Sequence, residues 1–190
     1  MARIEDLAEL YGQHIATPWQ RTVVGAQRVI MVVYDKDLER VLRARKGEFE
    51  TRTRAAGHDW HEVDLTTSFA TWLATDEYHE AFFRNPDRLL PKIDPDRGEF
   101  TQFVADRIGA VLARDDVSEN SVVAVLGAAS LFGFARVSQV LKLVEGDVRG
   151  RLAVFFPGQY EQNNYRLLDA RDGWNYMAVP ISLHSVGSAT

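Results

Sequence analysis

In the segment Leu126-Gly-Ala-Ala-Ser-Leu-Phe-Gly133, residue types and spacing come close to a known chemistry. An apolar run delivers two glycines and a hydroxyl to the expected start of a helix, the arrangement from which phosphate cradles are built. A Walker A loop also needs a lysine and a hydroxyl directly after its second glycine, so that a cation reaches the outer phosphates. Here five residues separate Gly127 from Gly133, one too many, and Phe134-Ala135 follow. The dinucleotide pattern G-x-G-x-x-G is missing as well. A structural tight turn is therefore the favoured reading. A weaker anion site would consist of Gly127, Ser130, Gly133 and Arg136, with Arg136 expected in the first turn of the helix. As a nucleophile, Ser130 lacks the flanking glycines that relieve crowding at a nucleophile elbow. A helix-capping role is expected instead.

Metal chemistry finds no support. His58 and His61 fall on an expected strand, where side chains three positions apart point to opposite faces and cannot share one ion. His14 and His79 lack paired ligands. The stretch Asp94-Pro-Asp-Arg-Gly-Glu fails as a calcium loop because its glycine comes a position early and the closing glutamate is missing. No catalytic residue, metal or cofactor is expected.

The densest polar region runs from Phe156 to Tyr176, after the expected C-terminal end of a buried strand, where ligands gather in open α/β sheets. Tyr160, Glu161, Asn163, Asn164, Arg166, Asp172, Trp174 and Asn175 combine hydrogen-bonding groups with the aromatic and arginine types common at interface hot spots. They form the expected partner-binding set. Trp72 and Phe82, in an aromatic segment, join it only if they prove exposed.

These residues need a scaffold. Arg28–Tyr34, Ser121–Leu126 and Arg151–Phe156 are continuous apolar runs, the pattern of strands buried on both faces of a parallel sheet. His58–Leu65 and Tyr176–Ile181 add two more strands. Helices are expected over Arg3–Ile15, Asp37–Ala56, Glu99–Arg114 and Phe132–Val144. On the second, Glu39–Arg43 and Glu48–Arg52 would form i,i+4 pairs. Strands alternating with helices imply an α/β fold with a mostly parallel sheet of about five strands and helices on both faces, a three-layer arrangement. Any small ligand should lie after Tyr34, Leu126 or Phe156. One domain over residues 1–190 is expected, with an irregular loop or insertion around 84–99 and a frayed C-terminus.

Composition sets outer bounds. A net charge of −5 argues against direct DNA binding through a broad basic surface. The absence of cysteine removes disulfides and thiolate chemistry. The acidic start lacks an apolar signal core and no apolar run reaches membrane-spanning length, so a cytoplasmic location away from membranes is expected.

Three C-terminal segments, Arg151-Leu-Ala-Val-Phe-Phe-Pro-Gly, Asn164-Tyr-Arg-Leu-Leu-Asp-Ala-Arg-Asp-Gly-Trp-Asn-Tyr and Ala178-Val-Pro-Ile, resemble the BrxB family of bacteriophage-exclusion (BREX) systems. Trp19-Gln-Arg, Gly25-Ala-Gln-Arg-Val-Ile, Phe69-Ala-Thr-Trp-Leu and Val123-Ala-Val-Leu-Gly-Ala-Ala-Ser-Leu-Phe-Gly-Phe resemble it in the same order. The resemblance implies a non-catalytic adaptor in anti-phage defence. Its partners would be larger BREX proteins, foremost the alkaline-phosphatase-like PglZ and then the AAA-type ATPase. The alternative is a nucleotide- or nucleic-acid-sensing regulatory subunit of the same system.

Overall fold

The computed structural model of the chain describes residues 3–20, 22–23, 25–94, 98–170 and 173–183. In chain order the elements are α1 (Ile4–Ala16), β1 (Val29–Tyr34), α2 (Glu39–Ala55), β2 (Asp59–Asp64), α3 (Ser68–Thr75), α4 (His79–Arg84) and α5 (Glu99–Leu112). There follow β3 (Ser121–Leu126), α6 (Val137–Val144), β4 (Arg151–Glu161), β5 (Asn164–Leu167), β6 (Trp174–Asn175) and β7 (Val179–Ser182).

The sheet is mixed and has seven strands rather than about five. Its main path, β2-β3-β4-β1-β7, is paired in parallel throughout, whereas β5 pairs antiparallel with β4 and β6 antiparallel with β5. All six residues of β1 are buried, as are all six of β3, which is why both read as unbroken apolar runs.

Alternate residues of β1 feed two cores. Val29, Met31 and Val33 join Phe100, Val104 and Ile108 of α5 and Val140, Leu141 and Val144 of α6. Ile30, Val32 and Tyr34 join Leu7, Tyr11 and Ile15 of α1 and Leu42 and Phe49 of α2. Trp72 and Phe82 are buried and belong to the packed interior. The exposed aromatics of that segment are Tyr78 and Phe83 instead.

Between α4 and α5, within the expected loop, Pro86–Arg88 and Leu90–Ile93 form 3-10 turns. Lys92 anchors them, 3.0 Å from Asp76 and 3.1 Å from Glu99. The remainder of that expected loop, residues 95–97, and the C-terminal residues 184–190 lie outside the described residues. On α2 the Glu39–Arg43 pair forms at 2.8 Å, but Glu48 pairs with Arg45 rather than Arg52. Among the described residues no helix is long and apolar enough to cross a membrane.

Candidate functional site

β4 does not stop at Phe156. Its parallel pairing with β3 ends at Val154 and that with β1 at Pro157, so the strand continues alone into an antiparallel lobe with β5 and β6. Gln162 and Asn163 make the two-residue turn, with φ of +49° and +63°. Positive φ at both central positions is the geometry that suits strand twist in tight hairpins.

Pleating sorts the expected partner-binding residues onto two faces. Gln159, Glu161, Asn164, Arg166 and Asn175 are exposed, and cross-strand pairing sets Gln159 opposite Arg166, Glu161 opposite Asn164, and Asn164 opposite Asn175. Tyr160 and Trp174 take the other face, on either side of fully buried Tyr165, with ring centroids 4.6 Å and 5.2 Å from it. Phe156 packs edge-on to both Tyr165 and Trp174. Asn163, in the turn, accepts a hydrogen bond from the Tyr160 hydroxyl at 3.0 Å. Asp172 lies outside the described residues.

Aromatic packing fixes the lobe to the body, and polar bonds hold its ends. The Tyr165 hydroxyl donates to the Ala178 carbonyl at 3.2 Å. The Tyr176 hydroxyl donates to Glu145 after α6, and Lys36 pairs with Asp169. Burial, then the Glu145 hydrogen bond, pushes the Tyr176 phenol well above its ordinary range.

The Gly127–Gly133 segment lacks the strand–loop–helix geometry of a phosphate cradle. Ala128–Leu131 forms a 3-10 turn, and α6 begins only at Val137, five residues later than expected. Gly133 turns the chain at φ +81° and Arg136 precedes α6 in extended conformation. Arg136 is thus outside the helix, and the loop does not lead into a helix N-terminus. Ser130 caps no helix either: its hydroxyl donates to the carbonyls of Leu65 at 2.9 Å and Gly127 at 2.7 Å. Phe134 stacks on Phe69 of α3, centroids 4.2 Å apart.

Two of the four weak anion-site residues do meet the partner-binding set. A cavity of about 500 Å³ opens between Phe132–Ser138 and the lobe, lined by Gly133, Arg136, Val137, Leu167, Gly173 and Trp174. Phe132, at its edge, is 47% exposed. Gly127 and Ser130 lie away from it, against Thr66 and Leu65 respectively.

At the C-terminal strand ends, the switch point falls between β1 and β4. After β1 the chain crosses to the α1–α2 face, and after β4 to the α5–α6 face. Such a crevice is the usual ligand site of open α/β sheets. Here it holds only about 110 Å³, lined by Tyr34, Asp35, Gly158, Tyr160, Glu161 and Ser182. That is well below the roughly 300–1,000 Å³ of small-molecule pockets.

Beside it runs a polar chain. The Tyr34 hydroxyl donates to Glu39, Arg43 Nε donates to Glu39 at 2.8 Å, and Arg43 Nη1 to Asp64 at 2.9 Å. Burial, then the Glu39 bond, raises the Tyr34 phenol. At Asp64 burial opposes ionisation, but hydrogen bonds from Arg43 and Thr66 outweigh it and hold the carboxyl at about 2.

His58 and His61 have separate partners: His58 stacks on Trp19, while His61 Nδ1 lies 3.8 Å from Asp116. Among the described residues no group of three His, Asp or Glu is placed to hold a metal ion.

Sequence reasoning missed a cavity of about 650 Å³ at the opposite end of the sheet, lined by Trp19, Arg28, His58, Asn120, Arg149 and Arg151. Its residues come from five distant segments, so no local spacing could reveal it. No protein-family model, curated protein or solved structure matches the chain.

Proposed function

We propose that this chain is a non-catalytic assembly component of a BREX anti-phage defence system. It works as a cytoplasmic adaptor that docks onto a larger partner through the β4–β5–β6 lobe. The alkaline-phosphatase-like PglZ is the first candidate partner and the AAA-type ATPase the second. The resemblance of the Arg151–Gly158, Asn164–Tyr176 and Ala178–Ile181 segments to BrxB supplies the biological context.

The observation that carries the docking reading is the division of the lobe into two faces. Tyr160, Tyr165 and Trp174 pin one face to the body, so the other presents Glu161, Asn164, Arg166 and Asn175 as a preordered row. A rigid display lowers the ordering cost of association. The adjoining cavity, with Phe132 exposed at its edge, suits an apolar anchor from the partner. Mixed charge on the row, Glu161 with Arg166, favours a partner surface of mixed charge over a phosphate backbone.

The test is size exclusion with light scattering on the chain mixed with the phosphatase-like protein. The native chain should co-elute as a complex of defined mass. A variant carrying Glu161→Ala, Asn164→Ala and Arg166→Ala, still folded because all three side chains are exposed, should elute alone. Separate elution of the native chain, or co-elution of the triple variant at undiminished affinity, counts against this reading.

A further inference from the structure

Parallel pairing along β2-β3-β4-β1 brings the residues just before those strands to one end of the sheet. His58 precedes β2, Asn120 precedes β3, Arg149 precedes β4, Arg151 opens it, and Arg28 precedes β1. Together with Trp19 they line the cavity of about 650 Å³. Three guanidinium groups converge there in a chain whose overall charge is −5.

Structural duty accounts for only part of the hydrogen-bonding capacity of Arg149 and Arg151. Arg149 Nη2 donates to the carbonyls of Leu112 and Arg114, at 3.0 and 3.1 Å. Arg151 Nη1 donates to the Gly150 carbonyl at 3.0 Å. Each guanidinium carries five N–H donors in a fixed fork. Among the described residues, Nε and Nη1 of Arg149 and Nε and Nη2 of Arg151 find no acceptor, and neither residue has a carboxylate at ion-pair distance. Glu119 also lines the cavity, exposed and in no ion pair with them.

The walls are held rigid. Arg151 sits over the Trp19 ring, 4.7 Å from its centroid. Trp19 in turn stacks on His58 with centroids 3.7 Å apart and planes within 9°, and its Nε1 donates to the Ile15 carbonyl. His58 Nδ1 lies 2.6 Å from Asn120 Oδ1. Burial, then the like charge of Arg28, works against the ionised form of Arg151. A bound anion would offset the like charge of Arg28.

We infer that this cavity is an anion-binding site for a small phosphorylated molecule, whose phosphate oxygens take the open donors of Arg149 and Arg151. Guanidinium forks match phosphate in a bidentate manner. The volume lies within the range of small-molecule pockets, with room beyond a single phosphate group. The site lies at the end of the sheet away from the docking lobe and does not depend on it.

Isothermal titration calorimetry of the full chain with inorganic pyrophosphate at low ionic strength tests this. One pyrophosphate should bind per chain. Arg151→Gln should weaken binding roughly tenfold or more, and Arg149→Gln by a smaller but measurable factor, since charge-assisted bonds to phosphate are lost. Arg40→Gln, which removes a positive charge from the exposed first turn of α2, at the opposite end of the sheet, should leave binding unchanged. Arg149 is exposed, so its variant remains informative if Arg151→Gln unfolds. No binding at millimolar pyrophosphate, or equal weakening in the Arg40 and Arg149 variants, overturns the site.

Discussion

Arg43 Nη1 lies 2.9 Å from Asp64 Oδ2, joining the first turns of α2 to the C-terminal end of β2. The bond matters because α2 follows β1 and β2 lies three strands away in the sheet. The same guanidinium reaches Glu39 on its own helix at 2.8 Å and the Thr66 hydroxyl at 2.6 Å, so one side chain ties α2 to the segment from Asp64 to Thr66.

A pH dependence follows from it. The Asp64 carboxyl titrates at about 2 in the folded chain, against an ordinary value of 3.8. A depressed folded value means stability present above about pH 4 and lost as pH falls from there towards 2. Asp64 is about half exposed, so solvent screening holds the contribution to the order of 1 kcal/mol. Arg43→Met should lower stability at neutral pH by about that amount and flatten the acid limb. Urea denaturation from pH 2 to 7, with a carboxyl titration of Asp64 by NMR, measures both.

Glycine is required at position 127. Its φ is +77°, and an added Cβ would lie 2.7 Å from Thr66 Oγ1 and 2.8 Å from the Thr66 amide nitrogen. Gly133 has a similar φ of +81° but open space around it. Gly127→Ala should therefore cost about 2–4 kcal/mol, strain plus overlap, and Gly133→Ala only about 1. Equal losses in equilibrium unfolding would show that backbone strain alone matters at both positions.

Tyr165 separates packing from polarity in the lobe. Tyr165→Phe keeps the ring but leaves the Ala178 carbonyl without its hydroxyl partner, at a cost of about 1 kcal/mol. Tyr165→Ala empties a fully buried site between Tyr160 and Trp174 and should cost roughly 3–5 kcal/mol. Thermal melts with tryptophan fluorescence can follow both.

The hairpin turn can be improved. Gln162 holds φ +49° without the special tolerance of Asn or Gly. Replacing Gln162 with Asn, which keeps Asn163 and its bond from the Tyr160 hydroxyl, should stabilise the chain by roughly 0.5 kcal/mol, because Asn tolerates positive φ better than Gln. An unchanged or lowered unfolding midpoint would argue against the two-residue turn.

Much of the scaffold was legible in the sequence because burial on both faces writes itself as unbroken apolar runs, as in Val29–Tyr34 and Ser121–Leu126. The extension of β4 was not, because proline usually ends an interior strand. Pro157 is tolerated where it stands: pairing with β3 is already over and Tyr34 is the last partner in β1. Tyr160 and Trp174 read as surface groups, yet their ring packing on Tyr165 makes them the inner face of the lobe. Before the late start of α6 the chain turns at left-handed Gly133 and packs Phe134 on Phe69, a contact between positions 65 residues apart that local periodicity cannot show. The arginine cavity was hidden for the same reason, since strand order alone assembles it.

The most direct measurement of the docking proposal is hydrogen–deuterium exchange on the chain, alone and bound to the phosphatase-like protein. Amides of residues 159–167 and 173–175 should exchange more slowly in the complex, with those of α1 and α2 unchanged. Protection confined to Ile4–Ala16 and Glu39–Ala55, with none gained on the lobe, would contradict docking through β4, β5 and β6.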